Sequence, residues 1–146
     1  MKADPGKSVV IDTNVWISAF LMKSGAPALV VRHVIAYGQP VFSAQTYAEL
    51  EARLWLPKFD KYLNMDDRRQ LLQDANALAC WTEVPQAMAA QKFCRDAGDD
   101  KFVHAALAAG AAWLVTGDRD LLEMPAIAGL SVLTPAAALK LPEFQS

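Results

Sequence analysis

With 146 residues, 53% of them hydrophobic and 21% charged, the chain has the size and composition of one folded domain, 1–146, and not of a disordered or low-complexity protein. No apolar run reaches the roughly 20 residues of a membrane span, and the start "MKADPGKS" is too short and polar for a signal peptide, so a cytoplasmic protein with no membrane partner is expected. The net charge is −2, but if four acids are gathered in one site the remainder is net basic, so the acidic balance does not exclude a nucleic-acid partner.

Ser8 to Ile11 reads as a short buried strand, followed by a helix from Asn14 to Met22 with Val15, Ile17, Ala19, Phe20 and Leu21 apolar. Gly25-Ala26-Pro27 breaks the chain, Ala28 to Tyr37 carries a second helix, and Gly38-Gln39-Pro40 ends it before a strand at Val41 to Ser43. Thr46 to Leu54 has helical spacing. Trp55 to Phe59 interrupts it around Pro57, and Asp66 to Cys80 forms a long amphipathic helix.

A third strand is expected at Trp81 to Val84, a helix from Pro85 to about Cys94, and a polar loop at "RDAGDDKF" ahead of an Ala-rich helix, Asp100 to Ala109. Gly110 is the expected helix stop. Ala112 to Thr116 is a fourth strand, Gly117 to Asp120 a polar turn, Leu130 to Thr134 a fifth strand, and Pro135 to Leu141 a closing helix. Strands alternating with helices predict an α/β fold with a mainly parallel central sheet between helical layers.

In such folds functional groups gather at the carboxyl ends of the strands. The polar residues that leave strands there are acids: Asp12 after the first strand, Glu49 on the helix after the second, Asp99 and Asp100 before the fourth, and Asp118 with Asp120 after it. Each has an ordinary alternative as a helix cap, a solvated helix residue or a turn residue. Carboxylates brought to one sheet edge repel unless a cation neutralises them, and an all-oxygen set suits Mg²⁺ or Mn²⁺ over Zn²⁺. His33 and His104 have no ligand spacing, and His104 reads as a helix-surface residue.

A divalent cation held by acids at a sheet edge points to phosphodiester hydrolysis, where it activates water and stabilises charge on phosphate oxygens. There is no GxxxxGK[ST] loop for a nucleoside triphosphate and no GxSxG elbow for acyl transfer. Cys80 and Cys94 lack a CxxC partner spacing and read as free buried thiols.

Four segments in order, "VVIDTNVWISAF", "VFSAQTYAELEARLWLPKFDKYL", "CRDAGDDKF" and "WLVTGDRDLL", resemble PIN-domain ribonucleases, in particular the branch related to VapC-type toxins of toxin–antitoxin systems. The resemblance covers nearly the whole chain, from Val9 to Leu139. It implies a PIN-like three-layer α/β/α sandwich, Mg²⁺ or Mn²⁺ dependence, an RNA substrate, a homodimer and a cognate antitoxin protein. Position by position it makes Asp12, Glu49, Asp99 and Asp118 the metal-site acids, supported by Thr13, Asn14 and Thr116. The related pattern, an apolar residue three positions after the third acid and Gly eleven after, favours Asp99 over Asp100. Asp96 and Asp120 are peripheral in that reading.

The implied mechanism has Asp12 and Asp118 on the principal metal, Asp99 completing its shell, and Glu49 orienting or deprotonating the attacking water. Cations expected near the pocket are Arg53, Lys58, Lys61, Lys101 and Arg119, while Trp55 and Phe59 could form an apolar knob or a core edge. Two alternatives remain. One is a non-catalytic RNA- or protein-binding adaptor. The other is a receiver-type phosphoacceptor domain, which wants a Lys after the last strand where Thr134 and Pro135 stand.

Overall fold

The computed structural model describes residues 7–145. Residues 1–6 and 146 of the expected domain, with most of the polar start, lie outside the described residues. The elements are β1 Ser8–Ile11, α1 Thr13–Leu21, α2 Ala26–Tyr37, β2 Gln39–Phe42, α3 Ala44–Leu54 and α4 Met65–Leu78. There follow β3 Cys80–Trp81, α5 Gln86–Ala89, α6 Asp100–Ala109, β4 Trp113–Val115, α7 Arg119–Leu122, β5 Ser131–Leu133 and α8 Pro135–Leu139.

Five parallel strands stand in the order β3-β2-β1-β4-β5. β1 is central, so its β-branched run is covered on both faces and reads as continuously apolar. Side chains alternate across it: Val9 and Ile11 pack with Val15, Trp16, Val30, Leu50 and Leu54 from α1, α2 and α3, and Val10 packs with Phe102, Val103, Ala106 and Leu121 from α6 and α7. The result is the three-layer α/β/α sandwich. Among the described residues no single helix is long and apolar enough to cross a membrane.

The chain moves outward from β1 through β2 to β3, then returns past β1 to β4. That reversal puts the topological switch point between β1 and β4, where the loops leaving the two strands part and open a crevice. The register pairs Val9 with Trp113, Val10 with Leu114 and Ile11 with Val115, so Asp12 and Thr116 leave the sheet side by side.

Several boundaries differ from the sequence expectation for identifiable reasons. β2 begins at Gln39 and stops at Phe42, because Ser43 is the N-cap of α3: its Oγ accepts from the Thr46 N–H at 3.2 Å, and Thr46 Oγ1 accepts from the Ser43 N–H at 3.0 Å. Ser43→Ala should destabilise the protein by about 1 kcal/mol in urea titration. α1 begins at Thr13, α4 at Met65 behind an Asn64 cap, and α8 ends at Leu139.

β3 is only Cys80–Trp81, and the helix expected to Cys94 stops at Ala89. The backbone N–H groups of Phe93 and Cys94 are taken by Asp100 Oδ1, at 3.0 and 2.7 Å, so that segment is drawn down as loop onto α6. The turn after β4 becomes one helical turn, α7, because Asp118 Oδ1 accepts from the Asp120 N–H at 2.9 Å. Gly110 ends α6 as expected, at φ +66°, where a side chain would be strained.

His104 is not on the surface. It is buried on α6, with Nε2 2.8 Å from the Gln91 carbonyl and Phe93 edge-on to its ring. The loop folded down by Asp100 is what covers it. Cys80 and Cys94 are free thiols, as read, but only Cys94 is buried; burial first, then the neighbouring carboxylates of Asp100, Asp99 and Asp118, push its thiol up to about 12.

Candidate functional site

Asp12 sits at the tip of β1, buried, with its backbone N–H bonded to the Val115 carbonyl at 2.9 Å. Its side chain meets no strict capping geometry, although the Asn14 N–H in the first turn of α1 lies close enough to favour its charged form. Oδ2 accepts from the Thr116 hydroxyl at 2.6 Å, and Thr116 Oγ1 in turn accepts from the Asp118 N–H at 2.9 Å. Thr116 is fully buried, and with its lone pair engaged by Asp118 its proton is directed at Asp12. Burial raises the Asp12 pKa from its ordinary value against the opposing hydrogen bonds from the Thr116 hydroxyl and the Asn14 N–H, and the negative charges of Glu49 and Asp118 add to the rise.

Asp99 ends a short 3₁₀ turn, Ala97–Asp99, immediately before α6. Burial first, then the neighbouring Asp118 carboxylate and the charges of Asp96 and Asp12, push its carboxyl up to about 7. Its Oδ2 is buried without a hydrogen-bond partner. The neighbouring Asp100 serves the loop instead, through the Phe93 and Cys94 amides. The two adjacent acids therefore have different partners.

Glu49 projects from α3, which packs against α6. Its Oε2 accepts from the Thr13 hydroxyl at 2.6 Å, and its Oε1 from Lys101 Nζ at 2.8 Å, with Arg53 Nη2 at 3.9 Å. Burial alone would raise this carboxyl; the hydrogen bonds from Lys101 and Thr13 and the charges of Lys101 and Arg53 outweigh it and hold the pKa below its ordinary value. Asn14 is exposed and accepts from Arg53 Nη1 at 3.4 Å.

Among the described residues, Asp96, Asp99 and Asp120 each place one carboxylate oxygen within 4.8 Å of the others. Among the described residues Asp12, Asp118 and Glu49 fall outside that set, and Asp12 and Asp118 reach Asp99 through their charge. Asp120 also pairs with Arg95 at 3.3 Å, and Asp96 Oδ1 accepts from the Gly98 N–H at 2.9 Å, so the set is partly satisfied by the protein. The donors are all carboxylate oxygens and one is an orphaned buried atom, a set that fits Mg²⁺ or Mn²⁺.

Of the cations expected near the pocket, Lys101 and Arg53 pair with Glu49, and Arg119 pairs with Glu123 at 3.0 Å. Lys61 is exposed, and Lys58 Nζ lies 5.2 Å from the Phe59 ring centroid. Trp55 is half-exposed and covered on one face by Arg68, which also pairs with Asp60 at 2.9 Å, while Phe59 packs against the core. The bond between Glu49 and Lys101 was not visible in the sequence, because 52 positions separate them and only the packing of α3 on α6 joins them.

The PIN domain sequence profile matches residues 8–120. The chain belongs to the PIN domain family. PIN domains are generally nucleases, and an acidic cluster is present in this chain. The uncharacterised protein MJ1680 of Methanocaldococcus jannaschii is 30% identical to this PIN domain over 121 residues, covering 80% of this chain and 74% of that protein. The crystal structure of VapBC2 from Rickettsia felis, bound to a DNA fragment from its promoter, contains a chain that superposes with a TM-score of 0.58 at 13% identity, over 86% of this chain and 96% of that one. That likeness concerns the fold. The receiver alternative is set aside by the family match and by the strand order, which for a receiver is 2-1-3-4-5.

The raised Asp99 pKa has a consequence for stability. Unfolded, the group titrates near 3.8, and folded near 7, so the native state binds the extra proton between those values and loses stability as pH rises through them. After screening for its exposure, the loss is about 1 kcal/mol. Urea titrations in EDTA at pH 5 and pH 8 should show this slope in the wild type and a flatter one in Asp99→Asn. Equal slopes would contradict the raised Asp99 carboxyl.

Proposed function

We propose that this PIN domain is a Mg²⁺- or Mn²⁺-dependent endoribonuclease, the toxin of a toxin–antitoxin pair. What supports the reading is that Asp12 and the turn carrying Thr116 and Asp118 leave β1 and β4 side by side and that the charges of Asp12 and Asp118 act on Asp99, whose Oδ2 is buried without a hydrogen-bond partner. These three aspartates would hold the cation. When bound, it lowers the pKa of a water and stabilises charge on the phosphate oxygens.

The chain's own residues perform the remaining tasks. β1 and β4 fix Asp12 and Thr116 side by side, and Thr116 links Asp12 to the Asp118 backbone, so two of the acids are held by one hydrogen-bonded chain. Glu49, fixed by Thr13, keeps its negative charge beside them. A carboxylate held below its ordinary pKa is a weak base at neutral pH, which favours an orienting role for Glu49 over removal of a proton from water. The likeness to a chain of VapBC2 supports an antitoxin partner, and a homodimer in the cytoplasm belongs to the same reading.

The experiment is incubation of labelled single-stranded RNA with the purified chain in Mg²⁺, Mn²⁺ or EDTA, beside a single-stranded DNA of the same sequence. Cleavage of the RNA in either metal, stopped by EDTA, is expected. An intact RNA in both metals would contradict the nuclease reading and favour the adaptor.

A further inference from the structure

The predicted acids fall into two kinds by what the protein supplies to them. Among the described residues, Asp12, Asp99 and Asp118 have no ion pair with Lys or Arg, whereas Glu49 has Lys101 Nζ at 2.8 Å and Arg53 Nη2 at 3.9 Å. The other Glu49 oxygen is engaged by Thr13. A carboxylate that already accepts from a hydroxyl and an ammonium and faces two cationic side chains has less to offer a further cation than one without an ion pair.

Lys101 is placed unusually for a lysine. It lies in the first turn of the ten-residue α6, where the helix dipole opposes a positive charge, so helix stability does not explain it. Its side chain is 26% exposed, so it is mostly covered by the protein and not free in solvent. Glu49 accepts its only hydrogen bond among the described residues, and an ammonium carries three donors. Its acceptor Glu49 stands near enough to Asp12 for its charge to act on that carboxyl, which brings the ammonium to the side of the acids.

We propose that Lys101 is a catalytic residue that contacts a non-bridging oxygen of the scissile phosphate, and that Glu49 is its positioning residue and not a cation ligand. The proposal rests on the nuclease reading. In phosphodiester cleavage negative charge accumulates on the phosphate oxygens, and a cation already held in place by a partly buried carboxylate meets that charge without reorganising.

The test uses the full chain and the variants Lys101→Ala, Lys101→Arg and Glu49→Gln, with circular dichroism to confirm folding. Three quantities are read: Mn²⁺ affinity by electron paramagnetic resonance, RNA cleavage in Mn²⁺, and the salt dependence of RNA binding in Ca²⁺. Mn²⁺ affinity is expected to stay within about twofold in every variant, while Lys101→Ala and Glu49→Gln lower kcat by about 100-fold with a smaller change in KM. Lys101→Arg should restore part of the rate, and the double variant should be no slower than Lys101→Ala alone, because the two residues act as a unit.

A Glu49→Gln chain that loses tenfold or more of its Mn²⁺ affinity would overturn the proposal, on the roughly 1.4 kcal/mol that one ligand contact would represent. So would a Lys101→Ala chain that cleaves within about threefold of the wild type. A wild type that cleaves no RNA defeats the nuclease reading instead. The Ca²⁺ measurement then decides the contact separately: Lys101→Ala should reduce the salt slope of RNA binding by about one phosphate contact, and an unchanged slope would overturn it.

Discussion

Asp12→Asn is expected to reduce metal-dependent RNA cleavage by at least about 1,000-fold while leaving the fold intact. The substitution keeps the shape of the side chain and an oxygen that can accept from the Thr116 hydroxyl, so the hydrogen-bonded chain from Asp118 through Thr116 can persist. What it removes is the charge. Because burial raises the Asp12 pKa, the fold loses stability by ionising this group and gains none from it. Stability in the Asn chain should therefore be equal or higher at pH 8. Rate and urea midpoint measured on one preparation separate the two effects, and undiminished cleavage by a folded Asp12→Asn chain would remove Asp12 from the mechanism.

The second large effect separates two neighbours. Asp99→Asn should abolish most of the cleavage and raise stability at pH 8, since it removes the carboxyl that is pushed up to about 7 by burial and by Asp118. Asp100→Ala should do the reverse to stability, lowering it by about 2–4 kcal/mol, because it strands two amides that now donate to a buried carboxylate. Those amides belong to Phe93 and Cys94, in the loop that covers His104 and carries the chain toward Asp96. Any loss of cleavage in Asp100→Ala should then be recovered on cooling, as the loop reorders. An Asp100→Ala chain as stable as the wild type but without Mn²⁺ binding would exchange the roles of the two acids.

Asp99 and Asp100 also mark the limit of what the sequence discloses. The tips of β1 and β4 were legible because β-branched and apolar runs end abruptly in polar residues, and the α/β alternation was enough to send those tips to one edge. Which of two adjacent aspartates faces the crevice depends on where the Phe93 and Cys94 amides lie, and no local pattern records that. The same bond explains the helix expected through Cys94: its apolar spacing was real, but Asp100 captured the amides of its second half. His104 was misplaced for the same reason.

Other departures are equally local. Pro40 concealed the start of β2, because proline argues against a strand, and Ser43 was assigned to the strand although it caps α3. The bond between Glu49 and Lys101 lies further out of reach, since it depends on the packing of α3 against α6. A sequence reading can name the acids, but it cannot say which one the protein has already neutralised.

The most direct measurement of the central claim is a crystal structure of the chain with Mn²⁺, the ion located by its anomalous scattering. A peak bounded by Asp12, Asp99 and Asp118 at the carboxyl ends of β1 and β4 is expected. A peak held by Asp96, Asp99 and Asp120 alone, with Asp12 outside its coordination, would contradict it.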